Sequence, residues 1–231
     1  MDIIHNFVVF EGADGSGTTT QLELLEGFFH GALDSEVPRL YRTAEPTTSP
    51  IGNLIRQSLR GEIHMGAKTL AYLFAADRNE HLFTPNGIIE RCSRGELVVC
   101  DRYILSSLVY QGLTCGEELP ATLNAAFPLP ELLLYFDIDS DIAAKRMEKR
   151  PVKDIYEVLE FQIKVRERYQ ALLPRLASAG VRVERIDASA SETEIEVTVL
   201  RLVVDLTRKM GYPDIGLQSC LGTYLSRWEK N

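Results

Sequence analysis

The four cysteines of this 231-residue chain, Cys92, Cys100, Cys115 and Cys220, include no C-x-x-C pair. Their spacing excludes the common zinc-site and disulfide-framework patterns and predicts reduced thiols in a reducing compartment. His5, His30, His64 and His81 are scattered and predict no metal cluster. No apolar run approaches the roughly 18 residues that mark a membrane span. The opening residues Met1 to Asn6 lead into an apolar strand pattern without the basic stretch and apolar run of a secretory leader. A soluble cytoplasmic protein with no membrane partner is expected. Positive charge is scarce too, with 25 Lys and Arg against 33 Asp and Glu and a formal net charge of −8. That balance argues against a nucleic-acid partner, which needs a broad basic face, so an anionic ligand must be met by a local cluster.

What is present is a core. At 45% hydrophobic residues, the chain can fill one α/β domain or at most two small ones. Short apolar runs alternate with longer helical patterns, as in βαβ units. Strands are expected at Phe7 to Glu11, Arg39 to Thr43, Leu97 to Asp101, Leu132 to Asp137 and Val181 to Ile186. Helices are expected at 19–33, 50–60, 67–94, 105–113, 140–149, 154–178 and 192–210, with starts at Asp139-Ser140-Asp141 and Ser189 to Glu192. The fold class is therefore α/β, a doubly wound five-stranded parallel sheet flanked by helices. Ligands should lie above the carboxyl ends of its strands.

The first expected strand runs into Gly12-Ala13-Asp14-Gly15-Ser16-Gly17-Thr18-Thr19-Thr20, a G-x-x-x-x-G-K-[ST] phosphate loop in which Thr18 replaces the lysine. Backbone N–H groups of such a turn, with the following helix N-terminus, make an anion site without side-chain charge. Gly15 and Gly17 supply the positive φ angles it needs. A plain glycine-rich loop is the alternative. Thr19 is either a Mg²⁺ ligand or a helix cap. Asp101 ends an apolar strand as a Walker-B carboxylate does, although many strands end in Asp.

Five motifs in order carry a resemblance to the thymidylate kinases. They are Glu11-Gly12-Ala13-Asp14, Glu45-Pro46-Thr47, Leu73 to Arg78, Asp101-Arg102-Tyr103 with Ser106 to Gly112, and Asp154 to Glu157 with Phe161 to Glu167. The resemblance covers roughly residues 5 to 187 and implies a P-loop kinase fold over 1–210, with a lid at about 146–154 and a C-terminal extension at 211–231. It implies transfer of the γ-phosphate of ATP to dTMP, with Mg²⁺ held by Thr19 and Asp101, in a homodimer whose interface could draw on 67–82 and 105–113. The ATP-binding residues would be Gly12, Ala13, Asp14, Gly15, Ser16, Gly17, Thr18, Thr19 and Thr20. The dTMP-binding residues would be Asp14, Glu45, Pro46, Phe74, Arg78, Arg102, Ser106, Ser107, Tyr110 and Gln111. Phe74 would stack on the thymine ring, and Arg78, one turn on, would bond the base edge. Otherwise they are a core phenylalanine and a solvated arginine. Asp14 would face the deoxyribose 3′-hydroxyl. Arg102, alternatively a surface ion-pair residue, would grip the acceptor phosphate. Asp14, Thr18, Arg102 and Arg150 make the catalytic set, Arg150 being the lid arginine from the basic cluster Arg146, Lys149, Arg150 and Lys153. A solvated charged face is the bland account of that cluster.

Two positions depart from the family. Thr18 stands in place of the lysine that reaches the β- and γ-phosphates, and Ala44 in place of an arginine for the acceptor phosphate. Phosphoryl transfer rests on positioning and charge stabilisation, so each vacancy matters. Arg42, Lys68, Lys149 and Lys153 are the candidate replacements. The alternatives are a weak or inactive nucleotide-binding relative with a regulatory role, or a kinase for a different nucleotide. The retained Phe74, Arg78, Gln111, Thr19 and Asp101 favour the active enzyme.

Overall fold

Buried parallel strands read as unbroken apolar runs, because helices cover both faces of the sheet. A computed structural model describes residues 2–31, 38–148, 156 and 158–212, and bears this out. The strands are β1 (Ile3–Gly12), β2 (Leu40–Ala44), β3 (Leu97–Asp101), β4 (Leu129–Asp137) and β5 (Arg182–Asp187). They form one parallel sheet in the order β2-β3-β1-β4-β5. The described helices are α1 (Thr18–Gly31), α2 (Pro50–Leu59), α3 (Ala67–Phe83), α4 (Ile88–Ser93), α5 (Ile104–Cys115), α6 (Glu118–Asn124), α7 (Ser140–Met147), α8 (Leu159–Ser178) and α9 (Glu192–Lys209).

Alternation along β1 splits the core in two. Val8 and Phe10 face Leu22 and Leu25 of α1 and Val199 and Val203 of α9. Phe7 and Val9 face Leu82 of α3, Val109 of α5, and Val165 and Tyr169 of α8. Each large apolar side chain fully buried this way contributes roughly 1.5–3 kcal/mol, so the two layers hold the sheet rigid beneath its polar edge. Register then sets that edge, with Ala44 beside Asp101 and Asp101 beside Phe10, while Glu11 and Gly12 run beyond toward Tyr135 and Phe136.

Local chemistry fixes the helix starts. Ser49 Oγ accepts from Gly52 N–H at 3.1 Å with Pro50 at the first position of α2. Asp139 caps α7 through Asp141 N–H, and Ser191 with Glu194 forms a capping box on α9. Two expected helices need correction, and one helix was not expected. The helix expected over 67–94 is two, because Thr84 turns extended ahead of Pro85 and Asn86 takes a φ of 61°. The short α6 escaped notice, with Pro120 tolerated near its start. The expected start at Asp154 lies outside the described residues, Tyr156 is in a turn, and α8 begins at Leu159. No described helix is long and apolar enough to cross a membrane.

The loop after β2 is built around Gly52, where an added Cβ would fall on the Thr47 carbonyl, well inside contact distance. Gly52→Ala is expected to cost about 1–3 kcal/mol by displacing this loop. Thermal unfolding should show a midpoint lowered by roughly 3–10 °C.

Candidate active site

Where β1, β2 and β3 end, the chain must turn, and the turns enclose a cavity of about 1050 Å³. The turn after β1 is the phosphate loop. Gly15 and Gly17 adopt φ values of 83° and 91°, and Ser16 N–H donates to the Ala13 carbonyl at 3.1 Å. Ala13, Asp14, Gly15, Gly17, Thr18, Thr19 and Thr20 line this cavity. Ser16 lines a smaller neighbour of about 280 Å³ with Gln21, Arg146, Ala190 and Glu192. Gly12 lines neither. A Cβ there would meet Ser16 Oγ at 2.5 Å and the Phe136 carbonyl at 2.9 Å, so its contribution is close packing.

Thr19, the second residue of α1, faces β3, and its hydroxyl donates to Asp101 Oδ2 at 2.7 Å. Asp101 Oδ1 is buried without a hydrogen-bond partner. A carboxylate oxygen left free beside a hydroxyl suits a hard divalent cation. Among the described residues no group of three or more His, Cys, Asp or Glu side chains could hold a metal, so such a cation would need phosphate oxygens to complete its shell.

Arg102 follows Asp101 with a φ of 70°, a left-handed conformation that costs a non-glycine residue roughly 1–3 kcal/mol. Glu11 offsets that strain from the central strand. Its carboxylate accepts from Tyr103 N–H at 2.9 Å, Ser106 N–H at 3.2 Å, Ser106 Oγ at 2.6 Å and Tyr169 OH at 2.9 Å, capping α5 from outside. The guanidinium of Arg102 thereby points back across β1. It donates to Asp14 Oδ1 at 2.6 Å and the Gly12 carbonyl at 3.0 Å, and lies 5.3 Å from the centre of the Tyr110 ring. Burial alone would lower its pKa, but Tyr110, Asp14, Tyr169 and Asp101 push it well above the usual arginine value. Arg102 stays charged, held between the phosphate loop and α5.

The far wall of the cavity is polar below and aromatic above. Phe74 is half-buried on it, and Tyr110 and Gln111 close one side, with Gln111 Oε1 buried and unpartnered. Tyr110 OH donates to Asp14 Oδ2 at 3.0 Å, and its ring packs on Tyr156 and Phe161. Arg78 is 1% exposed and locked in place, which rules out the solvated arginine that was its alternative. Nε and Nη2 donate to Glu45 Oε2 at 2.9 and 2.6 Å, Nη2 also reaches Ser107 Oγ at 3.1 Å, and Nη1 bonds Asn124 Oδ1. Glu45 Oε1 lies 3.1 Å from His81 Nδ1, and His81 Nε2 2.7 Å from Thr43 Oγ1. Thr43, Glu45, Pro46, Arg78 and His81 all line the cavity.

The candidate replacement cations separate cleanly. Arg42 lines the cavity but is engaged by Glu26 at 3.1 Å and Glu23 at 3.2 Å. Lys68 is exposed at the start of α3 and lines neither cavity. Lys149, Arg150 and Lys153 lie outside the described residues, as do residues 213–231. Sequence reasoning missed Arg56. It projects from α2 into the cavity, donating to the Thr47 and Pro46 carbonyls, and burial lowers its pKa against the pull of Asp77. Asp77 pins the same loop through Thr47 N–H at 2.7 Å and Ser49 Oγ at 2.9 Å. An isolated arginine on an amphipathic helix carries no spacing signal, so only the folded chain reveals it.

The family model for thymidylate kinase matches residues 10–199 of this chain. The chain belongs to the thymidylate kinase family. A Treponema pallidum relative is 42% identical over 204 residues, covering 88% of this chain and 95% of its own. One from Pyrobaculum aerophilum is 39% identical over 204 residues, covering 87% and 98%. One from Methanococcus maripaludis strain S2 is 41% identical over 172 residues, covering 74% and 78%. Each carries the thymidylate kinase name with a provisional qualifier. Thr18, 7% exposed at the first residue of α1, and Ala44, which closes β2, both lie on the cavity wall.

Removing one member of a buried ion pair strands the other. Glu45→Ala should therefore cost about 3–5 kcal/mol in urea unfolding, because Arg78 would keep its charge without its carboxylate.

Proposed function

We propose that this chain transfers the γ-phosphate of ATP to dTMP, giving ADP and dTDP, as an active thymidylate kinase. The observation that carries the reading is one continuous cavity. It joins the phosphate loop and Thr19–Asp101 at one end to Phe74, Arg78 and Gln111 at the other, with Asp14 and Arg102 between them.

In this reading the phosphate-loop N–H groups and the α1 N-terminus hold the ATP phosphates. Thr19 and Asp101 would hold Mg²⁺, which when bound neutralises phosphate charge. Phe74 offers a π-face to thymine, Gln111 and Arg78 meet the base edge, and Ser106 and Ser107 complete the wall. Asp14 meets the sugar 3′-hydroxyl and Arg102 grips the acceptor phosphate. An oxygen of that phosphate attacks the γ-phosphorus in line as ADP leaves, so the protein's task is alignment and charge. Arg56 takes the acceptor-side place left by Ala44. Arg146, on the smaller cavity beside Gly15, Gly17 and Thr20, adds positive charge on the ATP side, to which Arg150 would contribute. A homodimer is part of the same reading. Tyr72 and Phe83, 56% and 55% exposed on α3, are eleven residues apart, about three helical turns, and so share one stripe. Sedimentation of the purified protein at twice the monomer mass would support it.

Purified protein with ATP, Mg²⁺ and dTMP should form dTDP, and none above background would overturn the reading. Arg56→Ala should lower kcat/KM for dTMP by about 10²–10³, the usual effect of losing one preorganised donor, with little change in KM for ATP. Thr18→Lys should leave turnover unchanged or reduced, because other cations already supply the charge. A severalfold gain would show instead that the vacancy is uncompensated.

A further inference from the structure

One buried side chain with no part in the proposed reaction reaches the phosphate loop from the opposite wall. Gln162 lies in the first turn of α8 and is 1% exposed. Its Oε1 accepts from Asp14 N–H at 3.2 Å, while Nε2 donates to Asp14 Oδ2 at 2.7 Å and to the Tyr156 carbonyl at 2.9 Å. The amide can be placed only one way round, since a carbonyl and a carboxylate both demand the NH₂ end and an N–H demands the oxygen. One side chain thus fixes the backbone and the carboxylate of the same residue. Arg102 takes Asp14 Oδ1 at 2.6 Å and Tyr110 shares Oδ2 at 3.0 Å, so donors from three parts of the fold set the plane of the carboxylate.

We propose that Gln162 is a positioning residue for phosphoryl transfer. Acting through Asp14, it sets the orientation in which that carboxylate meets the acceptor sugar and Arg102. The proposal rests on the reading that Asp14 faces the 3′-hydroxyl of the acceptor. A packing role alone would be filled by leucine at similar volume. Leucine, however, would leave the Asp14 N–H and the Tyr156 carbonyl without these bonds and free the carboxylate to turn toward Arg102.

Two variants test it. Gln162→Leu removes every bond. Gln162→Glu keeps an acceptor for Asp14 N–H but sets a second carboxylate oxygen against Asp14 Oδ2. Two carboxylates so placed cannot both ionise cheaply, and one shared proton restores the bond. Among the described residues, Arg102 and Tyr110 are the titratable groups bonded to Asp14, with Tyr169 behind Arg102, and they are the same in both proteins. The measurement is kcat/KM for dTMP and for its 3′-deoxy analogue, across roughly pH 5.5 to 8, for wild type and both variants.

Wild type should prefer dTMP by about 10- to 100-fold, the range for one hydrogen bond to a charged group. Gln162→Leu should lose most of that preference while KM for ATP stays within about twofold. Gln162→Glu should be impaired at neutral pH, with its rate relative to wild type climbing as the pH falls. A wild-type preference in Gln162→Leu, together with a flat Gln162→Glu to wild-type ratio, would overturn the proposal. If wild type shows no 3′-hydroxyl preference, the sugar-facing reading of Asp14 fails. The ratio for Gln162→Glu then decides for Gln162, rising in support or flat against. If Gln162→Leu does not fold, the same pH profile decides.

Discussion

Glu11 stands at the end of the central strand and receives Tyr103 N–H, Ser106 N–H and hydroxyl, and Tyr169 OH. Those four donors come from the β3–α5 junction, the first turn of α5 and the middle of α8. One carboxylate therefore joins α5 and α8 to the central strand of the sheet. Burial pushes its pKa up while Ser106, Arg102 and Tyr169 pull it back. The left-handed turn at Arg102 persists because Glu11 satisfies the backbone on its far side. Asp14, Tyr110 and Gln162 inherit their places from that turn.

Positive charge in the site follows from the same economy of position. The chain is acidic overall, and the cations that count are each oriented by fixed partners: Arg102 by Asp14, Arg78 by Glu45, and Arg56 by two carbonyls beside Asp77. Arg42 is the contrasting case, present in the cavity but engaged by two glutamates. Lining the cavity is thus not enough to leave a cation available to an anion, because its carboxylate partners decide that.

The sheet was legible because buried parallel strands carry an uninterrupted apolar signal, and every expected strand is present. Its ends were less so. β1 begins earlier because Ile3 and Ile4 pair with Leu129 and Pro130, which His5 and Asn6 concealed, and α6 was too short to show a period. The break at Thr84–Gly87 was hidden because apolar spacing continues on both sides of it. In the site, contiguous motifs hold Thr19, Asp101, Arg102, Phe74 and Gln111, and the fold brings all five to one cavity. Arg56 and the grip of Gln162 on Asp14 were illegible, since each depends on elements brought together only by folding. Arg78 was found, but its bonds to Glu45 and Asn124 were not legible, because those partners are distant in sequence.

The bond from the Thr19 hydroxyl to Asp101 has a consequence for how the phosphate loop keeps its place. It ties the first turn of α1 to the end of β3. Because α1 starts where the loop stops, the loop is fastened to the sheet twice, by backbone through β1 and by this side-chain strut to β3. Loss of either partner would loosen the loop without altering a single residue of its turn.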